Sequence, residues 1–375
     1  MLCQSQYAVI TFGGIMWRAL FAILVIYSCH VEGGSFRRSG GRQEPQLNLD
    51  EYPSYEDIMK YLKDLARLNR NRIHLRDGGR SYENRKLQMA VISNGDGRPN
   101  KRAIFIDAAL HAREWLCPIT ALYVIQQLVV NYQENSYLLD DYDWVVLPLA
   151  NPDGYEYSRN VDDYWRNTRS PNNEHCYGTD LNRNFNYSWI MESSDLKDPC
   201  SENFAGSGPF SEPETRTVRD IMLELVESNR GLMYLSLHSA NRSIYYPWRD
   251  YGERTNNKAE HEEIAKHAAD RIYWSTGTRM STMPGYFYHG MVGGISLDYA
   301  FKVGFPVAFI FEMSGKDQNG VEHKFFPPSS AIRGLVQESW LGIRSLAEKA
   351  IEKYPPSRPL WPRAKPKSKF WNWNW

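Results

Sequence analysis

A histidine and a glutamate three residues apart, in His111-Ala-Arg-Glu114-Trp115, can aim an imidazole and a carboxylate at one point. A second histidine, His238, ends the apolar run Leu232-Met-Tyr-Leu-Ser-Leu far downstream. Two imidazoles and one carboxylate suit zinc, and three protein ligands leave a fourth position for water. That is a catalytic arrangement, because structural zinc is usually closed by four protein ligands. Alone, the first motif is short enough to arise by chance, and a lone histidine after a strand is by default an ordinary core or surface residue.

The elements around these residues strengthen the reading. Arg102-Ala-Ile-Phe-Ile-Asp-Ala-Ala109 reads as a buried strand running straight into the motif. From Glu114 onward, Trp115, Ala121, Leu122, Val124, Ile125 and Leu128 recur with helical spacing. The ligands are therefore expected at a strand end just ahead of a helix, where open α/β sheets place their sites. His238 repeats this placement. Apolar stretches at 86–92, 103–109, 143–149, 232–237 and 305–311 predict strands. Helical patterns appear near 54–67, 114–132, 212–228, 258–274 and 330–353. This alternation predicts an α/β fold, a sheet covered by helices on both faces. The 375 residues are 42% hydrophobic, enough for one large domain with extra segments. Zero formal net charge gives no reason to expect a nucleic-acid partner.

From about residue 47 to about residue 354 the chain resembles the zinc metallocarboxypeptidases, specifically their digestive A/B-type branch. The landmarks come in family order: Gly79-Arg-Ser-Tyr-Glu, His111-Ala-Arg-Glu-Trp, Asn151-Pro-Asp-Gly, Trp165-Arg166-Asn-Thr-Arg-Ser, Asp180-Leu-Asn182-Arg183-Asn, Leu237-His238-Ser and Phe309-Ile-Phe-Glu312. Other metalloprotease signatures fail. There is no His-Glu-x-x-His, and Glu114 is followed by Trp115 where an inverted zinc motif needs histidine. The resemblance implies a mixed eight-stranded sheet, one zinc ion per chain held by His111, Glu114 and His238, and peptide or protein C-termini as substrate. Zinc would activate a water and act as a Lewis acid. Glu312 ends the strand Pro306-Val-Ala-Phe-Ile-Phe, where a carboxylate has no structural purpose unless it faces a site. It would take the proton of that water and pass it to the leaving nitrogen. On the family's pattern Arg166 would stabilise the oxyanion. Asn182 and Arg183 would bind the free carboxylate, which a guanidinium grips through two parallel hydrogen bonds. Arg113 would contact substrate further from its end.

Three places depart from the family. Aligning the paired glycines Gly293 and Gly294 puts His289 where the family has its mobile tyrosine, with Tyr288 one residue earlier. Either residue is a candidate for that substrate-orienting role. Leu297 falls at the pocket-floor position, which implies apolar or aromatic C-terminal side chains. Arg249, at a wall position that is normally small, would instead favour acidic ones or narrow the pocket. Finally, the branch usually carries an inhibitory prodomain, and residues 35–46 form only a short polar linker.

Residues 1–34 read as a secretory signal, with Arg18 ahead of the apolar run Ala19–Ser28 and Met16 as an alternative start. That run is too short for a spanning helix, so no transmembrane anchor is expected. Of five cysteines, Cys3 and Cys29 fall in or before the signal. Cys176 and Cys200 flank a polar segment, and the resemblance supports a disulfide there. Cys117 is left over as a small apolar residue. Asn186 and Asn241 head N-glycosylation sequons. Asn241, so near a ligand, is expected to be bare. Residues 355–375 form a basic tail rich in Trp and Pro, expected to be extended. The expectation is a secreted, monomeric zinc carboxypeptidase. Its rival from another class is a secreted peptide-binding protein on the same fold with catalysis lost.

Overall fold

Strands that are apolar on both sides need cover on both, and the centre of the sheet is built of such strands. The computed structural model describes residues 44–189, 194–248, 257–285, 292–316 and 319–357. The expected signal, nearly all of the linker and the tail beyond Ser357 lie outside the described residues. Eight strands form one mixed sheet: β1 (Ile73–Arg80), β2 (Lys86–Ile92), β3 (Arg102–Ala108), β4 (Tyr142–Leu147), β5 (Gly231–Ser239), β6 (Ser243–Tyr246), β7 (Ser281–Pro284) and β8 (Val307–Met313). Their order in space is β1-β2-β4-β3-β5-β8-β6-β7. The four central strands run parallel, and β2 and β6 flank them antiparallel.

Side chains alternate between the faces with period two. In β3, Ile104 and Ile106 join one hydrophobic core while Ala103 and Phe105 join the other. In β8, Val307, Phe309, Phe311 and Met313 take the first face, and Ala308 and Ile310 the second. Helices α1 (Tyr55–Leu68), α2 (Leu116–Val129), α5 (Lys258–Thr276) and α7 (Ser329–Lys353) supply the first core. Helices α4 (Pro213–Glu227) and α6 (Ser296–Val303), with Leu181 and Phe185, supply the second. Helix α3 (Pro152–Asn160) follows β4 and buries Tyr155. Full burial of side chains such as Leu122 and Ile125 of α2 stabilises the fold by about 1.5–3 kcal/mol each. Helix α1 opens with a capping box, in which Ser54 accepts from Asp57 N–H and the Asp57 carboxylate accepts from Ser54 N–H.

The chain leaves β3 through α2 to reach β4 on one side, then returns through α4 to β5 on the other. The strand order thus reverses between β3 and β5. In open α/β sheets, the crevice outside the carboxyl ends at such a point is where ligands bind. Helix α2 begins at Leu116, two residues later than the periodicity suggests. Residues 109–115 therefore form a loop, and Ala109 adopts φ +58°, turning the chain sharply out of β3. Among the described residues no helix is long and apolar enough to cross a membrane.

Candidate metal centre

That loop and the end of β5 bring three donors together. His111, Glu114 and His238 are all buried, and one ligand atom from each lies within 4.8 Å of the others. The Nδ1 atoms of the two histidines are 3.2 Å apart. The Glu114 carboxylate lies 2.7 Å from His111 Nδ1 and 3.0 Å from His238 Nδ1. Both distal nitrogens are occupied elsewhere: His111 Nε2 lies 3.1 Å from Asp180 Oδ1, and His238 Nε2 lies 3.1 Å from Ser236 Oγ.

Asp180 decides the tautomer of His111. Burial pushes its carboxyl up, but Arg166, then Arg183, outweigh this and hold it well below the usual range. The Arg166 guanidinium donates twice to Asp180 Oδ2, at 2.8 and 3.0 Å. An ionised carboxylate can only accept, so His111 carries its proton on Nε2 and offers the Nδ1 lone pair. Burial and then Arg166 also depress the His111 pKa, which favours the neutral imidazole a metal needs. Burial raises the Glu114 carboxyl, but His111 and His238 outweigh it and the net shift is downward. Two imidazole nitrogens and a carboxylate, crowded with their lone pairs facing inward, fit a divalent cation, and this donor set fits zinc.

The remaining candidates surround the same crevice. A cleft of about 570 Å³ is lined by His111, Glu114 and His238 together with Arg113, Arg166, Asn182, Arg183 and Glu312. Glu312 stands beside His238 because β5 and β8 pair in that register. Asn182 Oδ1 accepts from Ser296 N–H at 2.9 Å, which leaves its Nδ2 as the donor end. Arg183 is positioned by a close approach of backbone: Gly294, at φ +72°, would carry a Cβ 2.1 Å from the Arg183 carbonyl oxygen. Only glycine fits there. Arg113 lies at the rim, donating to the Tyr164 carbonyl at 3.1 Å and to Glu202 at 2.8 Å, with its guanidinium over the Phe325 ring.

Leu297 is fully buried in the second core and does not line the cleft among the described residues. Arg249, Tyr288 and His289 lie outside the described residues. Cys176 and Cys200 form a disulfide. Cys117 is buried in the first core beside Glu114, and burial pushes its thiol well above the ordinary value. Asn186 is exposed, whereas Asn241 lines the cleft and donates to Tyr245 Oη. Asp180 had no role assigned from the sequence, although it heads the Asp-Leu-Asn-Arg landmark.

Comparison with known proteins agrees with this geometry. The family described as zinc carboxypeptidase matches residues 58–342. A carboxypeptidase B of Helicoverpa zea is 35% identical over 322 residues, covering 82% of this chain and 72% of the relative. A carboxypeptidase O of Bos taurus is 34% identical over 283 residues, covering 74% and 72%. The crystal structure of carboxypeptidase A from Helicoverpa armigera superimposes with a TM-score of 0.77 at 30% identity, covering 84% of this chain and 77% of that one.

Proposed function

The chain belongs to the zinc carboxypeptidase family, and on that premise we propose a secreted, monomeric enzyme that binds one zinc ion and releases single apolar or aromatic residues from peptide C-termini. The observation that carries the proposal is the convergence of His111, Glu114 and His238 within 4.8 Å, in a cleft shared with Glu312, Arg166, Asn182 and Arg183.

Zinc, when bound, supplies the Lewis acidity that makes water and carbonyl reactive at neutral pH. The chain's own groups do the rest. Asn182 and Arg183 grip the substrate's terminal carboxylate through charge-assisted hydrogen bonds, so only a free C-terminus is held in place. Glu312, on the strand next to His238, takes the proton of the attacking water and returns it to the departing amine. Arg166, oriented by both its bonds to Asp180, meets the negative charge that develops on the carbonyl oxygen. Arg113 contacts the peptide on the side away from its terminus. The apolar preference is supported by Val292 in the cleft wall; Leu297, packed in the second core, does not contribute to that wall.

A mass-spectrometric C-terminal ladder tests this. Peptides ending in Phe, Leu, Lys, Glu and Asp would be incubated with the protein, with and without a zinc chelator. Chelator-sensitive loss of Phe or Leu is expected. Preferential loss of Glu or Asp would overturn the apolar preference and point to Arg249. No loss from any peptide by folded, zinc-loaded protein would favour the peptide-binding alternative.

A further inference from the structure

Beneath the metal ligands lies a carboxylate that the chemistry above does not use. Asp107 is 0% exposed in β3, four residues before His111. Burying a carboxylate is costly unless its oxygens are satisfied, and two hydroxyls satisfy this one. Tyr234 donates to Oδ2, and Ser236 Oγ donates to Oδ1 at 2.7 Å. The sheet dictates this meeting, because Asp107 and Ser236 are register partners in the parallel β3–β5 pair. Ser236 and His238, two residues apart on one strand, share a face, and Ser236 Oγ lies 3.1 Å from His238 Nε2.

We propose that Asp107 is a positioning residue that acts through Ser236 to fix the tautomer of His238, so that Nδ1 faces the metal with a bare lone pair. This rests on reading His111, Glu114 and His238 as zinc ligands. A serine hydroxyl has one proton. With that proton committed to Asp107, Ser236 Oγ can meet His238 only as an acceptor. His238 must then carry its hydrogen on Nε2. Nδ1, turned toward Glu114 and His111 Nδ1, is left without one. Burial raises the Asp107 carboxyl only to about 6, so the accepting carboxylate predominates at neutral pH. His111 reaches the same tautomer directly from Asp180, whereas His238 reaches it through one intervening hydroxyl. Partners of this kind tune metal affinity as well as ring orientation.

Zinc affinity of the full chain, measured at neutral pH against a competing chelator, tests the relay. Tyr234→Phe removes the other donor to Asp107 and leaves the relay intact, so wild-type affinity is expected. Adding Asp107→Leu to that background takes away the acceptor that holds the Ser236 proton. The Ser236 proton then turns to His238 Nε2, and the ring hydrogen moves to Nδ1. The double variant is expected to lose about 10–100-fold in zinc affinity. Long-range proton–nitrogen NMR of the metal-free protein should show the His238 hydrogen moved from Nε2 to Nδ1. Unchanged affinity and tautomer in the folded double variant would overturn the proposal, as would an equal loss in Tyr234→Phe alone. Should the double variant not fold, Ser236→Ala decides: weakened zinc binding supports the relay, and wild-type affinity overturns it. A wild-type protein that binds no zinc would instead sink the underlying ligand assignment.

Discussion

Glu214, in the first turn of α4, is buried with a carboxylate oxygen that has no hydrogen-bond partner. Its other oxygen accepts from Tyr82 N–H at 3.1 Å. Burial, reinforced by the Glu212 and Asp153 carboxylates, pushes its pKa from 4.5 up to about 8. The sign follows from proton binding. Below pH 4.5 the group is protonated folded or unfolded and adds no pH dependence. Between 4.5 and about 8 the unfolded chain has released a proton that the native state keeps, so raising the pH favours unfolding. Above about 8 both states are ionised and the full penalty is in place. Glu214→Gln keeps the shape of the protonated acid and cannot ionise. Relative to wild type, the variant should gain stability by up to about 1.4 kcal/mol per pH unit across that window, with a ceiling of about 5 kcal/mol. Urea unfolding of both proteins from about pH 5 to 9, with zinc in constant excess so that its linkage cancels, measures the difference. Two parallel stability curves would refute the reasoning and show that Glu214 is ionised in the native protein throughout.

Glu312→Gln should lower kcat by about 10²–10⁴-fold while leaving zinc affinity intact, as steady-state kinetics and chelator competition would show. A Gln variant with near-normal kcat would remove Glu312 from the role of base. Arg183→Lys keeps the charge but loses the two-pronged grip, so kcat/KM for peptides with a free C-terminus should fall about 10–100-fold, with less effect on amidated peptides. Removing zinc with a chelator should lower the thermal midpoint and added zinc should restore it, by about 2.7 kcal/mol at a hundredfold excess over Kd. Replacing both Cys176 and Cys200 with serine opens a loop with a sequence separation of 24 and should cost ~3 kcal/mol in denaturant titrations.

The central strands were legible in the sequence because both their faces are apolar, and each long helix showed its period. What was missed lies at the edges or is short. In β1, Asp77, Gly78 and Gly79 interrupt the alternation of a half-exposed edge strand. The strands β6 and β7 have four residues each, too few to display a period. The start of α3 was written in Asn151-Pro152, an N-cap whose side chain accepts from Gly154 N–H followed by proline in the first turn. At the site, the donors and arginines stood out by type and order, whereas their supports did not. Asp180, Ser236 and Asp107 act by contact across different strands and loops, which no spacing within one segment reveals. Asp107 still left a trace, as a lone carboxylate inside an otherwise apolar strand.

The pairing of His238 with Glu312 across β5 and β8 bears on how far such a protein can be altered. Their spacing is set by the ladder of backbone hydrogen bonds between two strands, about 4.8 Å apart, and not by the reach of flexible side chains. A single residue inserted into β8 would turn Glu312 toward the helices on the far side and swing Phe311 into the cleft. By sequence position alone, Arg249, Tyr288 and His289, where the family resemblance leads substrate selection to be expected, fall outside the ranges of both strands. Changes there leave the interstrand ladder untouched. Substitutions at positions away from these two strands can therefore alter substrate choice, while lengthening either strand would abolish turnover at a stroke.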